Sequence, residues 1–226
     1  MEFTRTPALT RRKLLAAAAA AVASGCSQTP TLQLVKDSFS LVGPQGSAYP
    51  RTREQVDALP YAQLGVRIGS GARGIMVLAE KNGDDLQWLS ANRIMLLTRR
   101  GRIVRTVGLP TDLSGCALYG PDLLEQYNFE APAAPASVLR RSIDIGSAFG
   151  IPVQSKFTIE GEETITILDQ KIDSLRIRED LDSSDRKWRK PNRYWLSKRS
   201  ALIWRSLQYV TPNDAPLELE ILKRPA

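Results

Sequence analysis

The alternation of apolar and polar residues from Tyr61 onward predicts a protein built from short β-strands. Phe157 and Ile159 flank the polar Thr158, for example, so that one face of the strand is buried and the other is wet. The same pattern predicts strands at 61–68, 75–80, 86–90, 94–98, 102–107, 138–145, 153–160, 164–169, 172–178, 192–197, 201–209 and 217–222. About a dozen short strands favour an all-β, mainly antiparallel meander that forms a sandwich or a closed or partly closed barrel.

Turn and cap residues mark where these elements begin and end. Gly161 is expected to break one hairpin, and residues 99–101 supply the turn of another. Helical spacing of apolar residues predicts a short amphipathic helix at 32–42. Thr52 can cap a second short helical turn that ends before Pro60. The chain is therefore expected to carry one or two short amino-terminal helices ahead of the strands.

The glycines at 69, 71 and 74 have the GxGxxG spacing of a dinucleotide-binding loop. Such a site needs a helix directly after the glycines, because the amides at the helix start meet the pyrophosphate. The residues that follow, 75–79, have the pattern of a strand. The glycines are therefore predicted to form a hairpin loop.

The first 26 residues have the pattern of a bacterial lipoprotein signal peptide. A basic segment at 11–13 and a short apolar segment at 14–23 precede the small Ser24 and Gly25, and Cys26 follows. The apolar segment is shorter than the roughly 20 residues that span a bilayer. We expect cleavage before Cys26 and lipid attachment to its thiol. The alternatives are an uncleaved anchor or a cysteine that lies there by chance.

This interpretation divides the chain into a signal peptide at 1–25, a lipidated tether at 26–31 and a single β-rich periplasmic domain at 32–226. A triacylated cysteine exceeds the two signals that stable membrane anchoring needs. Ser27, where Asp would retain the protein in the inner membrane, favours the periplasmic side of the outer membrane of a Gram-negative cell. Residues 10–15 approximate a twin-arginine export signal, so both that route and ordinary secretion stay open.

The net charge of the chain after the signal peptide indicates which classes of partner it can bind. The chain has 31 Lys and Arg against 24 Asp and Glu; residues 1–25 hold four of the former and one of the latter, which leaves 27 against 23 and a net charge near +4. Export excludes nucleic acid as a natural partner. The excess favours anionic polysaccharide, lipid headgroups or an acidic protein face, unless it only keeps the domain soluble.

The sequence gives little evidence for a catalytic site. The chain has no histidine, the commonest general base and metal ligand, and no cofactor is expected beyond the lipid on Cys26. Cys116 would then be the only other cysteine, and we expect a buried, inert thiol. The SxxK spacing at 184–187 falls in a polar run, and the carboxylates at 160, 162 and 163 cluster at a predicted turn. A glycosidase would need two carboxyl groups that face each other across a cleft, and the sequence leaves that possibility open.

A basic and aromatic run between 186 and 205 is the more suggestive feature. Aromatic faces stack on sugar rings, and arginine can bind carboxylate or phosphate groups with two hydrogen bonds. The candidate residues for binding a glycan or partner are Trp188, Arg189, Arg193, Tyr194 and Arg199. In the alternative interpretation Trp195 and Trp204 fill the core and the charges line the outer face.

Several segments resemble the YjbF/GfcB family of group 4 capsule polysaccharide lipoproteins. They are Leu59-Pro60-Tyr61-Ala62, Val66-Arg67-Ile68-Gly69, Gln87-Trp88-Leu89-Ser90, Met95-Leu96-Leu97-Thr98, residues 101–109, Tyr194-Trp195, Ile203-Trp204-Arg205-Ser206, Gln208-Tyr209 and residues 216–220. The resemblance covers most of the chain after the signal peptide and accompanies the cysteine motif.

The resemblance implies a β-rich lipoprotein that serves secretion or assembly of capsule or exopolysaccharide beside an outer-membrane β-barrel protein. It carries no enzymatic activity and no catalytic residue with it. We therefore expect a non-enzymatic accessory factor that binds the barrel protein and, as an open question, the anionic polysaccharide. A periplasmic glycan-modifying enzyme with paired carboxylates and a purely structural envelope lipoprotein are the alternatives.

Overall fold

The computed structural model describes residues 48–127, 129, 138–183, 190–200 and 202–225. Outside these residues lie Cys26, the predicted helix at 32–42, the SxxK spacing at 184–187, Trp188 and Arg189. The described helices are α1 (Arg53–Asp57) and α2 (Leu123–Gln126). The described strands are β1 (Gln63–Ile68), β2 (Arg73–Asn82), β3 (Asp85–Leu89), β4 (Met95–Arg99), β5 (Arg102–Val107), β6 (Leu113–Tyr119), β7 (Val138–Ile145), β8 (Ala148–Ile167), β9 (Gln170–Asp182), β10 (Pro191–Ser197), β11 (Ile203–Gln208) and β12 (Leu217–Lys223).

These twelve strands form one antiparallel sheet in the order β5-β4-β3-β2-β1-β12-β11-β10-β9-β8-β7-β6. Strands that follow each other in the chain pair with each other, except β5 and β6, and β1 also pairs with β12. The two edges of the sheet, β5 and β6, are consecutive in the chain and lie side by side. The sheet therefore curls into a nearly closed barrel, which confirms the all-β, mainly antiparallel class.

Side chains rather than a strand ladder connect the two edges at one end. The Thr106 hydroxyl on β5 donates to the Asp112 carboxylate at 2.8 Å, and it accepts from the Leu113 amide on β6 at 2.9 Å. Asp112 also accepts from the amides of Gly108 and Leu109, so its carboxylate holds the short β5–β6 connection in place.

The inward faces of the strands form two apolar clusters. The larger gathers residues from both halves of the sheet, including Trp88 on β3 and Leu219 on β12. The smaller lies between β9, β10 and β7 and includes Ile177 and Leu139. Along β8 the buried and exposed positions alternate as the sequence pattern predicted.

Several predicted turns and caps are confirmed. Thr52 caps α1 by a reciprocal capping box with Gln55, and the helix ends at Asp57. Residues 69–72 join β1 to β2 as a hairpin, while Gly74 already pairs with Val66 as part of β2. The turn after β4 contains Arg100 and Gly101, both with positive φ.

Other predictions were wrong. Gly161 does not break a hairpin, because β8 runs without interruption through it, with a register shift between Ile159 and Gly161 where the glycine adopts φ +124°. β9 extends to Asp182, beyond the predicted end at 178. The apolar pattern predicted neither β6 nor α2. Within the described residues, no helix has the length and apolar character needed to cross a bilayer.

Gly101 should be sensitive to substitution for two reasons at once. Its φ is +82°, and a Cβ built there would lie 2.7 Å from Cβ of Ile203. We expect Gly101→Ala to lower the free energy of unfolding by about 2–4 kcal/mol. Gly83→Ala is the matched control, since Gly83 has φ +59° but open space around it, and it should cost only about 1 kcal/mol. Urea unfolding followed by circular dichroism measures both; equal losses would contradict the packing argument.

Candidate functional site

Arg53 is one of the residues that hold the segment before β1 against the barrel. The guanidinium of Arg53 in α1 donates to the carbonyl of Leu222 at 2.6 Å and to the carbonyls of Ile167 and Leu168 at 3.0 and 3.3 Å. These carbonyls come from the end of β12, the end of β8 and the β8–β9 turn. Arg53 therefore ties three separate parts of the chain together, and they form the rim of a cleft.

The cleft has a volume of about 630 Å³. It lies between α1, the start of β9, the β10–β11 turn and the end of β12. Its basic lining residues are Arg53, Lys171, Arg199, Lys223 and Arg224, and its acidic ones are Asp57 and Asp173. Five positive charges against two negative ones give the cleft a positive excess.

The five cations fall into two groups. Arg53 and Lys223 are committed to the fold: Lys223 donates to the carbonyl of Asp57 at 2.9 Å and to that of Leu59. Lys171, Arg199 and Arg224 are exposed, and no ion pair joins any of them to another residue in the part of the chain that the structure describes. These three, which we call the free cations of the cleft, are available to a ligand.

The two carboxylates have partners. Asp57 pairs with Arg53 at 3.5 Å, and Asp173 accepts from the Thr164 hydroxyl at 2.9 Å. On another part of the wall, Trp204 is 8% exposed and its indole N–H donates to the Ser200 hydroxyl at 3.4 Å. The aromatic ring is thus fixed between the core and the cleft.

A second constellation, a buried polar cluster, lies inside the barrel. Arg102 donates to Glu179 at 2.7 Å and to both oxygens of Asp122 at 3.0 Å, and Arg141 also binds Glu179. Tyr194 donates its hydroxyl proton to Glu179 at 2.8 Å. All five side chains are at least 90% buried, and burial together with the nearby Arg102 charge lowers the pKa of Arg141. Two positive and two negative charges balance here, so the cluster joins strands and presents no net charge.

The structure separates the described residues of the predicted basic and aromatic site. Tyr194 points into the barrel as part of the buried polar cluster, so its ring is not on the surface. Arg193 lies on the opposite face of β10 and pairs with Glu160 at 3.3 Å. Arg199 lies in the cleft. The alternative interpretation describes Trp204 well, because its ring belongs to the larger apolar cluster. Trp195 only packs against that cluster and is partly buried, on the face of β10 that carries Arg193.

The carboxylates singled out near residue 161 bind basic or aromatic partners. Glu160 pairs with Arg176 at 2.8 Å, and Glu162 pairs with Lys198. Glu163 accepts from the Trp195 indole at 2.9 Å, and this bond, with the Arg176 charge, lowers its pKa. Cys116 lies half-buried on β6, where burial raises the pKa of its thiol and disfavours the reactive thiolate.

Sequence reasoning missed Lys171 and Arg224, which join Arg199 only after folding. They are 28 and 25 positions from Arg199 in the chain, which places them on other elements. The sequence did, however, contain a pattern that places Tyr194 on the buried face of its strand. Period-2 alternation along 192–197 assigns Tyr194 to the face opposite Arg193 and Trp195.

A ladder of ion pairs crosses the outer face of β2, β1, β12 and β11. Glu218 binds Arg67 and Arg73, and Glu220 binds Arg73 at 2.8 Å and Arg205 at 2.5 Å. Tyr49, ahead of α1, donates to Glu220 at 2.5 Å, and burial next to this carboxylate raises the pKa of its phenol. The ladder thereby attaches the segment that leads to the amino terminus.

Comparison with known proteins identifies the family of this chain. The sequence profile described as "Group 4 capsule polysaccharide lipoprotein gfcB, YjbF" matches residues 34–222. The chain belongs to the YjbF family. Two proteins of Escherichia coli K12 are similar in sequence: the "Uncharacterized lipoprotein GfcB" is 26% identical over 175 residues, covering 75% of this chain and 79% of that one, and the "Uncharacterized lipoprotein YjbF" is 21% identical over 182 residues, covering 76% and 80%.

The crystal structure of the hypothetical lipoprotein YmcC from Escherichia coli K12 has the same fold as this YjbF-family chain. The TM-score is 0.68 at 24% identity, over 77% of this chain and 90% of the other. The near-closed barrel is therefore shared with a solved lipoprotein. The match of this chain to the YjbF family model, rather than the shared fold, supports an envelope lipoprotein with a capsule-related role.

Glu179 should be the most costly single carboxylate to neutralise. Glu179→Gln would leave Arg102 and Arg141 with less compensating charge inside the barrel, so we expect a loss of about 3–5 kcal/mol in the free energy of unfolding. Glu80→Gln, an exposed glutamate on β2, is the control and should change it by less than about 0.5 kcal/mol. Chemical denaturation of both variants tests this. A loss below about 1 kcal/mol for Glu179→Gln would show that the cluster is dispensable.

Glu218 should make stability depend on pH on the acid side. Burial acts to raise the pKa of its carboxyl, but the hydrogen bond from Arg67 and the Arg73 charge outweigh it and lower the pKa below 4.5. A lowered folded-state pKa stabilises the fold above the unfolded-state value, and this stabilisation is lost as the pH falls. Wild type should exceed Glu218→Gln in stability at pH 7, and the difference should shrink below about pH 4.5. Glu162→Gln, which breaks an exposed pair, should show little difference at any pH; a pH-independent deficit in Glu218→Gln would contradict the assignment.

Proposed function

We propose that this protein is a lipid-anchored, non-enzymatic accessory factor of capsule or exopolysaccharide secretion or assembly. The observation that carries the proposal is the family match over residues 34–222, which contains nearly all of the described barrel. The family description names both a capsule polysaccharide and a lipoprotein. Charge and fold agree with a soluble domain that works beside a polyanion, since the excess positive charge lies partly in an open cleft.

The anchor in this proposal is Cys26. Cleavage after residue 25 would leave residues 26–31 as a lipidated tether and 32–226 as the periplasmic domain on the outer membrane. Ser27 supports the outer membrane as the destination. The three acyl chains of a processed lipoprotein give stable attachment, since one chain alone gives only reversible binding.

The partner in this proposal is an outer-membrane β-barrel protein of the secretion system. An anchor on the inner leaflet of the outer membrane would hold the domain next to such a protein, which raises their effective concentration. The family description names a capsule polysaccharide, and a polymer of that kind must cross the outer membrane, which supports a barrel protein as the partner.

Replacement of the lipidated cysteine tests the anchor and the role together. We expect Cys26→Ala to abolish lipid attachment, seen as the loss of the acyl mass in mass spectrometry, and to reduce surface polysaccharide to the level of a deletion strain. Cys116→Ser is the control, because its thiol is half-buried and not needed for anchoring, and it should retain both. An intact signal peptide on the wild-type protein would overturn the anchor.

Two different experiments test the role in polysaccharide production and the proposed partner. Surface polysaccharide that is unchanged in the deletion strain would favour a purely structural lipoprotein over an accessory factor. Purification of the tagged protein from crosslinked outer membranes should recover an outer-membrane β-barrel protein in stoichiometric amount. Recovery of this chain by itself from membranes that do contain the secretion system would overturn the proposed partner.

A further inference from the structure

We propose that the cleft between α1, β9, the β10–β11 turn and β12 binds anionic sugar units of a polysaccharide, by their carboxylate or phosphate groups. The free cations Lys171, Arg199 and Arg224 supply the charge. The inference rests on the proposed function for the kind of polymer. It assigns the contact to this cleft rather than to the basic run of the sequence.

The first argument is how arginines are used elsewhere on the barrel. On the outer face Arg67, Arg73, Arg176 and Arg205 each bind a glutamate. These ion pairs neutralise the arginines, so the guanidinium groups have little charge left to attract a ligand. The free cations of the cleft differ because they share one concave surface and face only two carboxylates, both already bound to other groups.

The second argument is that the walls are already fixed without a ligand. Arg53 and Lys223 donate hydrogen bonds to backbone carbonyls, and the Trp204 indole donates to the Ser200 hydroxyl. A ligand would therefore order only the exposed cationic side chains and not the frame. Pre-formed sites lose less conformational entropy on binding, which favours affinity.

The third argument is the size and chemistry of the opening. A volume of about 630 Å³ falls in the range of ligand sites, roughly 300–1,000 Å³. Guanidinium groups match carboxylate and phosphate oxygens in two-bond geometry, and a lysine acts as a point charge beside them. The Ser200 hydroxyl on the same wall can bond to sugar hydroxyls. An open cleft with dispersed cations suits one segment of a polymer better than it suits a small molecule that must be enclosed.

The test compares two triple variants that lose identical residue types. The cleft variant is Lys171→Ala, Arg199→Ala and Arg224→Ala; the control is Lys156→Ala, Arg105→Ala and Arg140→Ala, which are exposed positions outside the cleft. Each full-length lipidated protein is reconstituted in nanodiscs of neutral phosphatidylcholine. Calorimetric titration then uses a galacturonate oligomer as the carboxylate probe, a glycerol phosphate oligomer as the phosphate probe and a maltose oligomer of equal length as the neutral one.

We expect the wild type to bind at least one anionic oligomer, more weakly as salt rises from 50 to 200 mM, and to bind the neutral oligomer much less. The cleft variant should lose about tenfold or more in affinity, and the control about twofold or less. Equal losses in the two variants would overturn the proposal, because diffuse charge would then explain binding. No binding of either anionic oligomer to the wild type would overturn it too.

A lipid headgroup is the competing ligand with the same charge. Empty nanodiscs with phosphatidylglycerol, added to the protein in neutral nanodiscs, serve as that arm: if they bind the wild type but not the cleft variant, and neither protein binds an anionic oligomer, the cleft is a lipid site and the proposal fails. Failure of the cleft leaves the proposed function standing, because that function is judged by surface polysaccharide in the deletion strain. A cleft variant that binds weakly but restores surface polysaccharide would separate the two conclusions.

Discussion

The barrel depends on the charged contact between Arg102, Glu179 and Asp122. β5 and β6 are the two edges of the sheet, and an edge carries backbone groups that need partners. Arg102 starts β5 and binds Asp122, which follows β6, so a side chain spans the junction between the edges. The same guanidinium binds Glu179 on β9 across the interior. One buried arginine thus sets the distance between three parts of the barrel wall.

Neighbouring polar groups complete this closure. The amide of Ile103 on edge strand β5 donates to the Gln208 side chain at 2.9 Å, and Gln208 donates back to the carbonyl of Gly101 at 2.8 Å. A side chain from β11 thereby satisfies backbone groups at the edge. Burying charge is costly, and the charges of the cluster balance only while every partner is present. The cluster therefore favours one closed arrangement of the strands, and Gly101 must stay small because Ile203 occupies the space beside it.

Alternation along the chain predicted most of this architecture, because a half-buried strand displays its environment at every second residue. It could not predict β6, whose burial pattern is mostly intermediate or exposed around Gly115 and Cys116. It also failed at Gly161, since a glycine can end a strand or accommodate a bulge, and only pairing with β9 decides between the two. Residue types identified Arg199 as a binding candidate but placed Tyr194 beside it. The cleft itself depends on Lys171 and Arg224, whose proximity to Arg199 is a consequence of tertiary structure.

The division of charge between the two faces of the sheet connects the fold to the proposed activity. Inside, two arginines are balanced by two carboxylates, and outside, glutamates on β12 neutralise arginines of β1, β2 and β11. Strand pairing therefore neutralises most of the arginines it brings together, and the cleft gathers three cations without an ion pair in the described chain beside the ends of β9, β10 and β12. Arg53 lies at that place, and it joins the segment leading to the amino terminus with the β8–β9 turn. The described chain thus meets the barrel first through Tyr49, which donates to Glu220 on β12, and then through Arg53, which lies at the edge of the cleft. The contacts that hold this segment in place therefore also shape the cleft to which the anionic ligand is assigned.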